Sequence, residues 1–335
     1  MVSGNVSTVP APPSSAAGPI RVLGLDVGGT KLAAGVVRLD RATTEVESMA
    51  SIPTEVERRP DEVVGSLVRL GRKVLAGVGL GPDDVAAVGA SCGGPLDAAT
   101  GVIYGPPPNL PGWLHVPLTE MLAEAFGRPT RTGNDGSACA LAEARFGGWD
   151  ADPLAYVTIS TGVGGGLVVG GEVFAGAAGN GGEPGHIPLI WDGRACACGS
   201  RGCAEAYVSG ASIGRRATER FGETQSRTLS ARDVVVAAQA GDPDAQAFWA
   251  ETLDMTGAWL AGLVNIWEPA LLVLGGGVTR AGESMLLDPL RHRVQQRAMP
   301  AVAKTVGLAF SRFGDASGVM GAAAMAVSAS EGEQG

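Results

Sequence analysis

Three of the chain's five cysteines, Cys196, Cys198 and Cys203, lie close together in a glycine-rich stretch, and His186 stands ten positions before the first of them. Thiols and an imidazole clustered in this way suit zinc better than a disulfide framework. Three thiolates and one imidazole complete a tetrahedral site with no open position, the arrangement of structural zinc. Such a site would fix a loop whose glycines otherwise give it little reason to hold one shape. Glu183 and Glu205 bracket the set, so whatever these carboxylates and His186 touch would be held in place by the metal. The competing readings are a zinc that only staples the fold, and three incidental free thiols.

Two further stretches have the composition of phosphate cradles. In the first, Asp26 ends an apolar strand, Gly28 and Gly29 let the backbone turn and expose N–H groups, Thr30 adds a hydroxyl and Lys31 a positive charge. It is not a Walker loop: Gly24 and Gly29 have the right separation, but Thr30-Lys31 is in the wrong order and a strand follows. In the second, Thr161, Gly162 and Gly164 sit between apolar runs that also read as strands. Either alone is compatible with an ordinary hairpin. Two such hairpins about 130 residues apart suggest a duplicated domain with a cleft between the copies, suited to a nucleoside triphosphate.

Asn134-Asp135 closes a short strand before a helix. A carboxylate there is as usual for chemistry in α/β proteins as for a plain helix cap. Asn109 and Trp113, in the proline-rich run 106–113, could line a site or merely pack a surface connection. Gly275, Gly276 and Gly277 follow a buried strand, where a backbone can approach a flat ligand or simply turn tightly into a helix.

The elements that must position these groups follow from periodicity. Strand, turn and strand are predicted over 20–39 and again over 155–174, helices over 61–75, 137–146 and 244–265, and strands over 85–90, 129–135 and 271–274. Ser230 and Asp233 have the spacing of a capping box. An alanine-rich helix over 314–326 ends the fold, and 328–335 reads as a polar tail.

The chain has 335 residues, enough for two domains. A net charge of −9 with no basic run makes nucleic acid and anionic membranes poor partners. No apolar run is long enough to span a bilayer. Residues 1–19 lack a basic segment and a continuous apolar segment, so they read as a disordered tail rather than a secretory signal. Together with the cysteine cluster this points to the cytoplasm.

Taken together, these residues resemble the ROK family of sugar kinases, in its zinc-containing, glucokinase-like branch, from about Val22 to Val327. Asp26 to Lys31 resembles the family's first phosphate motif. The stretch from Ile159 through Gly162, Gly164, Gly166, Gly176 and Gly182 to Gly185-His186 resembles its signature. His186, Cys196, Cys198 and Cys203 match its zinc ligands, Asn134-Asp135 the pair carrying the catalytic base, and Gly275 to Gly277 the nucleotide-side turn.

The resemblance implies an α/β, actin-like (ribonuclease H-like) fold of two domains with a cleft between them. The small domain would be 20–135 plus about 312–328, and the large domain 136–311 with the zinc loop. It implies ATP-dependent phosphorylation of a hexose 6-hydroxyl, most readily that of glucose, with Asp135 as base. Asn109, Asn134, Glu183, His186 and Glu205 would hold the sugar. ATP with Mg²⁺ would lie on the glycine turns, zinc would be structural, and the chain would be a homodimer. An amino-sugar or fructose kinase, and a non-catalytic sugar-binding regulator, are the alternatives. ROK repressors carry a DNA-reading module before the first strand, and the Ala/Pro/Ser-rich segment here does not read as one. Three departures from the family pattern, Asp135-Gly136-Ser137, Cys92-Gly93-Gly94-Pro95 and Ala204, lie near the sugar and bear on which sugar is used.

Overall fold

The computed structural model describes residues 18–40, 43–105, 107, 109–225 and 228–332. The expected tail 1–19 lies, as far as residue 17, outside the described residues. So do Pro106 and Pro108 of the proline-rich run and residues 333–335.

The first half of the chain runs through β1 (Ile20–Val27), β2 (Lys31–Leu39), β3 (Thr44–Pro53), α1 (Pro60–Gly77), β4 (Ala87–Cys92), β5 (Val102–Ile103), β6 (Val116–Pro117), α2 (Leu118–Phe126), β7 (Thr130–Asn134) and α3 (Asp135–Phe146). The second continues with β8 (Leu154–Ile159), β9 (Val163–Val169), β10 (Glu172–Val173), α4 (Glu205–Val208), α5 (Gly210–Gln225), α6 (Ala231–Gln239), α7 (Pro243–Trp267), β11 (Leu271–Gly275), α8 (Asp288–Arg297), α9 (Pro300–Ala303), β12 (Gly307–Phe310) and α10 (Ser317–Gly332).

The strands form two five-stranded sheets of the same topology, β3-β2-β1-β4-β7 and β10-β9-β8-β11-β12. In each, an antiparallel hairpin begins the sheet and two parallel strands complete it. This is the duplication anticipated from the two glycine hairpins, and it is the actin-like arrangement.

Alternate residues of β1 serve two cores. Leu23, Leu25 and Val27 pack with Val63, Leu67 and Leu70 of α1. Val22, on the opposite face, joins a core shared with α3, α10, β8 and β11. So α3 and α10 lie between the sheets. The close seat of α10 follows from a row of glycines: Gly35, Gly24 and Gly89 stand opposite one another on β2, β1 and β4. A methyl group on Gly24 or Gly89 would overlap the backbone of Val319 or Ala322. Burying each of these apolar side chains contributes about 1.5–3 kcal/mol, against the entropy of ordering it.

Several predicted boundaries shift. The strand expected at 85–90 is β4, two residues later, because a 3₁₀ turn over Pro82–Asp84 comes first. The strand expected to end at Asp135 ends at Asn134, and α3 starts at Asp135 rather than Ser137. The helix expected over 314–326 starts at Ser317, after a 3₁₀ turn. It continues to Gly332, so 328–332 is helix rather than polar tail. The capping box at Ser230 is present: Asp233 N donates to Ser230 Oγ at 3.2 Å, and Ser230 N donates to Asp233 Oδ2 at 2.8 Å.

Candidate active site

The parallel strands β1, β4 and β7 end level with one another: Val27 stands opposite Cys92, and Cys92 opposite Asn134. The carboxyl ends of parallel strands are where α/β sheets bind ligands. At this edge Asp26 receives a 2.8 Å hydrogen bond from Ser91 Oγ, and its carboxylate lies against Gly318 in the first turn of α10. Burial raises the pKa of Asp26 to about 6, the Ser91 hydroxyl opposes this, and the charge on Asp135 adds to it. Ser91, fully buried, is a site residue that sequence reading missed.

The Asn134 side chain is the cap, accepting from Gly136 N at 3.0 Å and Ser137 N at 3.2 Å. Its amide nitrogen donates to Glu183 Oε1 at 3.3 Å. Asp135 stands in the first turn of α3, where its Oδ1 shares the Gly136 N–H with Asn134 and accepts from it at 2.8 Å. Burial pushes its pKa up, and the hydrogen bond to Gly136 opposes this.

The glycine turns work by permitting close approach, and not by the backbone freedom expected of them. None of Gly28, Gly29, Gly162 and Gly164 has a positive φ. A Cβ on Gly29 would lie 2.5 Å from the Cβ of Asn109, so Asn109 presses on the first turn. A Cβ on Gly162 would lie 2.7 Å from Glu205 Oε2, which accepts from Val163 N at 2.9 Å. Asp135 Oδ1 is 4.0 Å from the Cβ position of Gly164. One departure acquires a physical reason here: a side chain on Gly136 would overlap the backbone of Gly165, so α3 can approach β9 only through glycine. Thr30, Lys31 and Thr161 are exposed at the hairpin tips. Gly276, with φ of 88°, packs on Ile159 and Thr158 and joins the Gly275–Gly277 turn to the base of the second hairpin.

Beside that junction, sequence reading missed a cavity of about 440 Å³ lined by Gly210, Gly214, Arg215, Leu229 and Ser230. Gly210 borders Ser160 and Val278. Trp113 does not line the site: it is fully buried in the core with Leu110 and Val116.

The cysteine cluster is assembled. The donor atoms of His186, Cys196, Cys198 and Cys203 all lie within 4.8 Å of one another. Cys198 Sγ and Cys203 Sγ are 3.7 Å apart, and Cys196 Sγ is 3.8 Å from His186 Nδ1. Tetrahedral zinc with Zn–S bonds near 2.3 Å sets edges of about 3.8 Å, so the four residues fit that ion. Cys196 Sγ also lies 3.6 Å from Glu205 Oε1, and Glu205 holds the second hairpin. One side chain therefore links the cluster to the glycine turn.

The sequence matches the ROK family over residues 22–329. A glucokinase from Thermotoga maritima is 31% identical, over 91% of this chain and 97% of its own length. The structure of a ROK hexokinase from Thermus thermophilus is similar with a TM-score of 0.77 at 36% identity, covering 94% of this chain and all of that one. A ROK family glucokinase from Streptomyces griseus, in complex with glucose and AMPPNP, gives a TM-score of 0.79 at 31% identity, covering 92% and 99%.

Proposed function

The chain belongs to the ROK family, and on that premise we propose that it is an ATP-dependent sugar kinase that phosphorylates the 6-hydroxyl of a hexose, glucose foremost. The observation that carries this reading is the setting of Asp135. It is a partly buried carboxylate beside the Asn134 cap, lying between the second glycine turn and the Asn134–Glu183 pair.

Phosphoryl transfer needs positioning and charge neutralisation more than covalent chemistry. Asp135 accepts the proton of the attacking hydroxyl as its oxygen bonds to phosphorus. Asn109, Asn134, Glu183, His186 and Glu205 hold the other sugar hydroxyls, since each carboxylate accepts from two neighbours. The two hairpins, through Gly28 to Lys31 and Thr161 to Gly164, hold the phosphates. Gly275 to Gly277 and the cavity beside Gly210 take the nucleoside. Asp26, a carboxylate whose pKa is raised by burial and by the charge on Asp135, suits Mg²⁺, which would neutralise phosphate charge when bound with ATP. His186 Nδ1 and the three thiolates would hold zinc, and His186, so fixed in tautomer, would keep Nε2 for a sugar hydroxyl.

The two lobes, 20–135 with about 312–328 and 136–311, close on the substrates and exclude water. A cluster of reduced thiols supports the cytoplasm, the family resemblance supports a homodimer, and a net charge of −9 with no basic run disfavours nucleic acid and anionic membranes. Among the described residues no helix is long and apolar enough to cross a membrane.

The test is ADP release with Mg-ATP against glucose, mannose, N-acetylmannosamine, glucosamine, kanosamine and fructose. The expected result is strongest turnover on glucose. Silence on every sugar, with zinc bound and ATP affinity intact, overturns the kinase reading in favour of a sensor.

A further inference from the structure

Asn180 lies between β10 and Glu183 and belongs to none of the groups assigned above. Its side chain crosses to the other lobe. Oδ1 accepts from Leu96 N at 3.1 Å, and Nδ2 donates to Tyr104 Oη at 2.6 Å and to Ala178 O at 2.9 Å. Both amide hydrogens are used, and a flipped amide would set a donor against Leu96 N, so the orientation is fixed. The neighbouring backbone is shaped for the same crossing. Gly179 has φ of 81°, and a Cβ there would lie 2.9 Å from Ala98 N. On the small-lobe side, Tyr104 N donates to Pro95 O at 3.2 Å, which closes the Pro95–Tyr104 loop on itself.

Between these contacts stands Gly94. Its Cβ position is 3.5 Å from Asn180 Oδ1 and 3.5 Å from Asn134 Nδ2. Asn134 in turn donates to Glu183. The rim Gly93-Gly94-Pro95 is therefore held on one side by Asn180 and faces the Asn134–Glu183 pair on the other. Asn180 is three residues from Glu183 in sequence, so one short segment carries both the carboxylate and the tie that fixes the opposite wall.

We infer that Asn180 is a positioning residue for the acceptor sugar: it ties the Glu183 segment to the Gly94–Leu96 rim and so sets the width of the acceptor pocket. This rests on the sugar-kinase reading. Among the described residues Asn180 hydrogen-bonds to Leu96, Tyr104 and Ala178 and to no phosphate-side group, so its effect falls on the sugar and spares ATP.

Asn180→Ala, Asn180→Asp and the wild type are compared by steady-state kinetics and by hydrogen exchange at the Leu96 amide. In Asn180→Ala the Leu96 amide exchanges faster and KM for the sugar rises about tenfold, the size expected for losing a net hydrogen bond or two. KM for ATP stays constant and kcat changes by less than about threefold. Asn180→Asp recovers part of the sugar affinity, because a carboxylate accepts from both Leu96 N and a rotated Tyr104 hydroxyl but sets an acceptor against Ala178 O. Faster exchange with unchanged sugar KM overturns the proposal, and so does a parallel rise in both KM values, which marks general loosening. If the wild type phosphorylates none of the sugars, the kinase reading has failed. Exchange is then measured with and without 100 mM glucose: slowing at Leu96 in the wild type but not in Asn180→Ala upholds the tie, and no slowing in either rejects it.

Discussion

Asp26 and Asp135 are near enough for the charge of one to raise the pKa of the other, and burial raises both. Their consequences differ because one is read out in turnover and the other in stability. A base works only when charged, so a raised pKa on Asp135 moves the acid limb of kcat/KM upward. We expect that limb above the ordinary aspartate value of about 4; a limb at the ordinary value would detach it from Asp135. Asp135→Asn is expected to lower kcat by roughly 10²–10⁴ while leaving a folded protein that binds sugar, measured by turnover and calorimetry. For Asp26 the sign runs against the usual carboxylate. Its folded pKa of about 6 lies above the unfolded value of about 3.9, so the stability contribution is full below pH 4 and is lost as pH rises to 6. Asp26→Asn removes this loss, which is on the order of 2–3 kcal/mol by the size of the shift. Without nucleotide, thermal unfolding should show the variant gaining on the wild type between pH 4 and 7, while its kinase activity falls. Equal differences at both pH values would mean that the charge on Asp26 is not penalised in the fold.

The hairpins and α3 show which parts of the site could be read from the sequence and which could not. The strands flanking the glycine turns were legible because their apolar runs are local and the turns punctuate them. The purpose of the glycines was not, because it depends on side chains far along the chain: Asn109 against Gly29, and Glu205 against Gly162. The same distance hid the partner of Asn180, 84 positions away, and that of Asp26, 65 positions away. The zinc loop was legible because its four donors are packed into a short stretch, and donor type alone fixes the chemistry. Its link to the second hairpin, through Glu205 and Val163 N, was not. That link makes a prediction at this scale. Cys198→Ser should lose zinc, measured by metal analysis, and should weaken sugar binding, measured by titration calorimetry. The loss comes through His186 and Glu205, which neither the mutation nor the sugar's hydroxyls alter directly. Full sugar affinity in the zinc-free protein would leave the metal with a purely stapling role.

The two sheets are joined by the two helices between them. α3 carries the chain out of the first sheet, and α10 carries it back. Both crossings meet at one buried carboxylate. Glu143, near the end of α3, accepts from Trp149 Nε1 at 2.7 Å, from Ser311 Oγ at 2.6 Å and from Arg312 N at 3.1 Å. Ser311 and Arg312 are the residues by which the chain leaves β12 for α10, and the Arg312 guanidinium lies 4.1 Å over the Trp149 ring. On the closure proposed above, the crossing has to bend without coming apart, and three donors on one carboxylate would give it a fixed point. Removing the acceptor takes a partner from three partly buried donors, at up to about 1–3 kcal/mol for each one that water does not reach. Glu143→Ala is therefore expected to lower Tm by roughly 5 °C or more, and to separate the unfolding of the two lobes. Scanning calorimetry distinguishes the outcomes. Two resolved transitions, or one broadened transition whose calorimetric enthalpy exceeds the van't Hoff value, would identify Glu143 as the tie between lobes. A single sharp transition at the wild-type Tm would show that packing of α3 against α10 holds the lobes together without it.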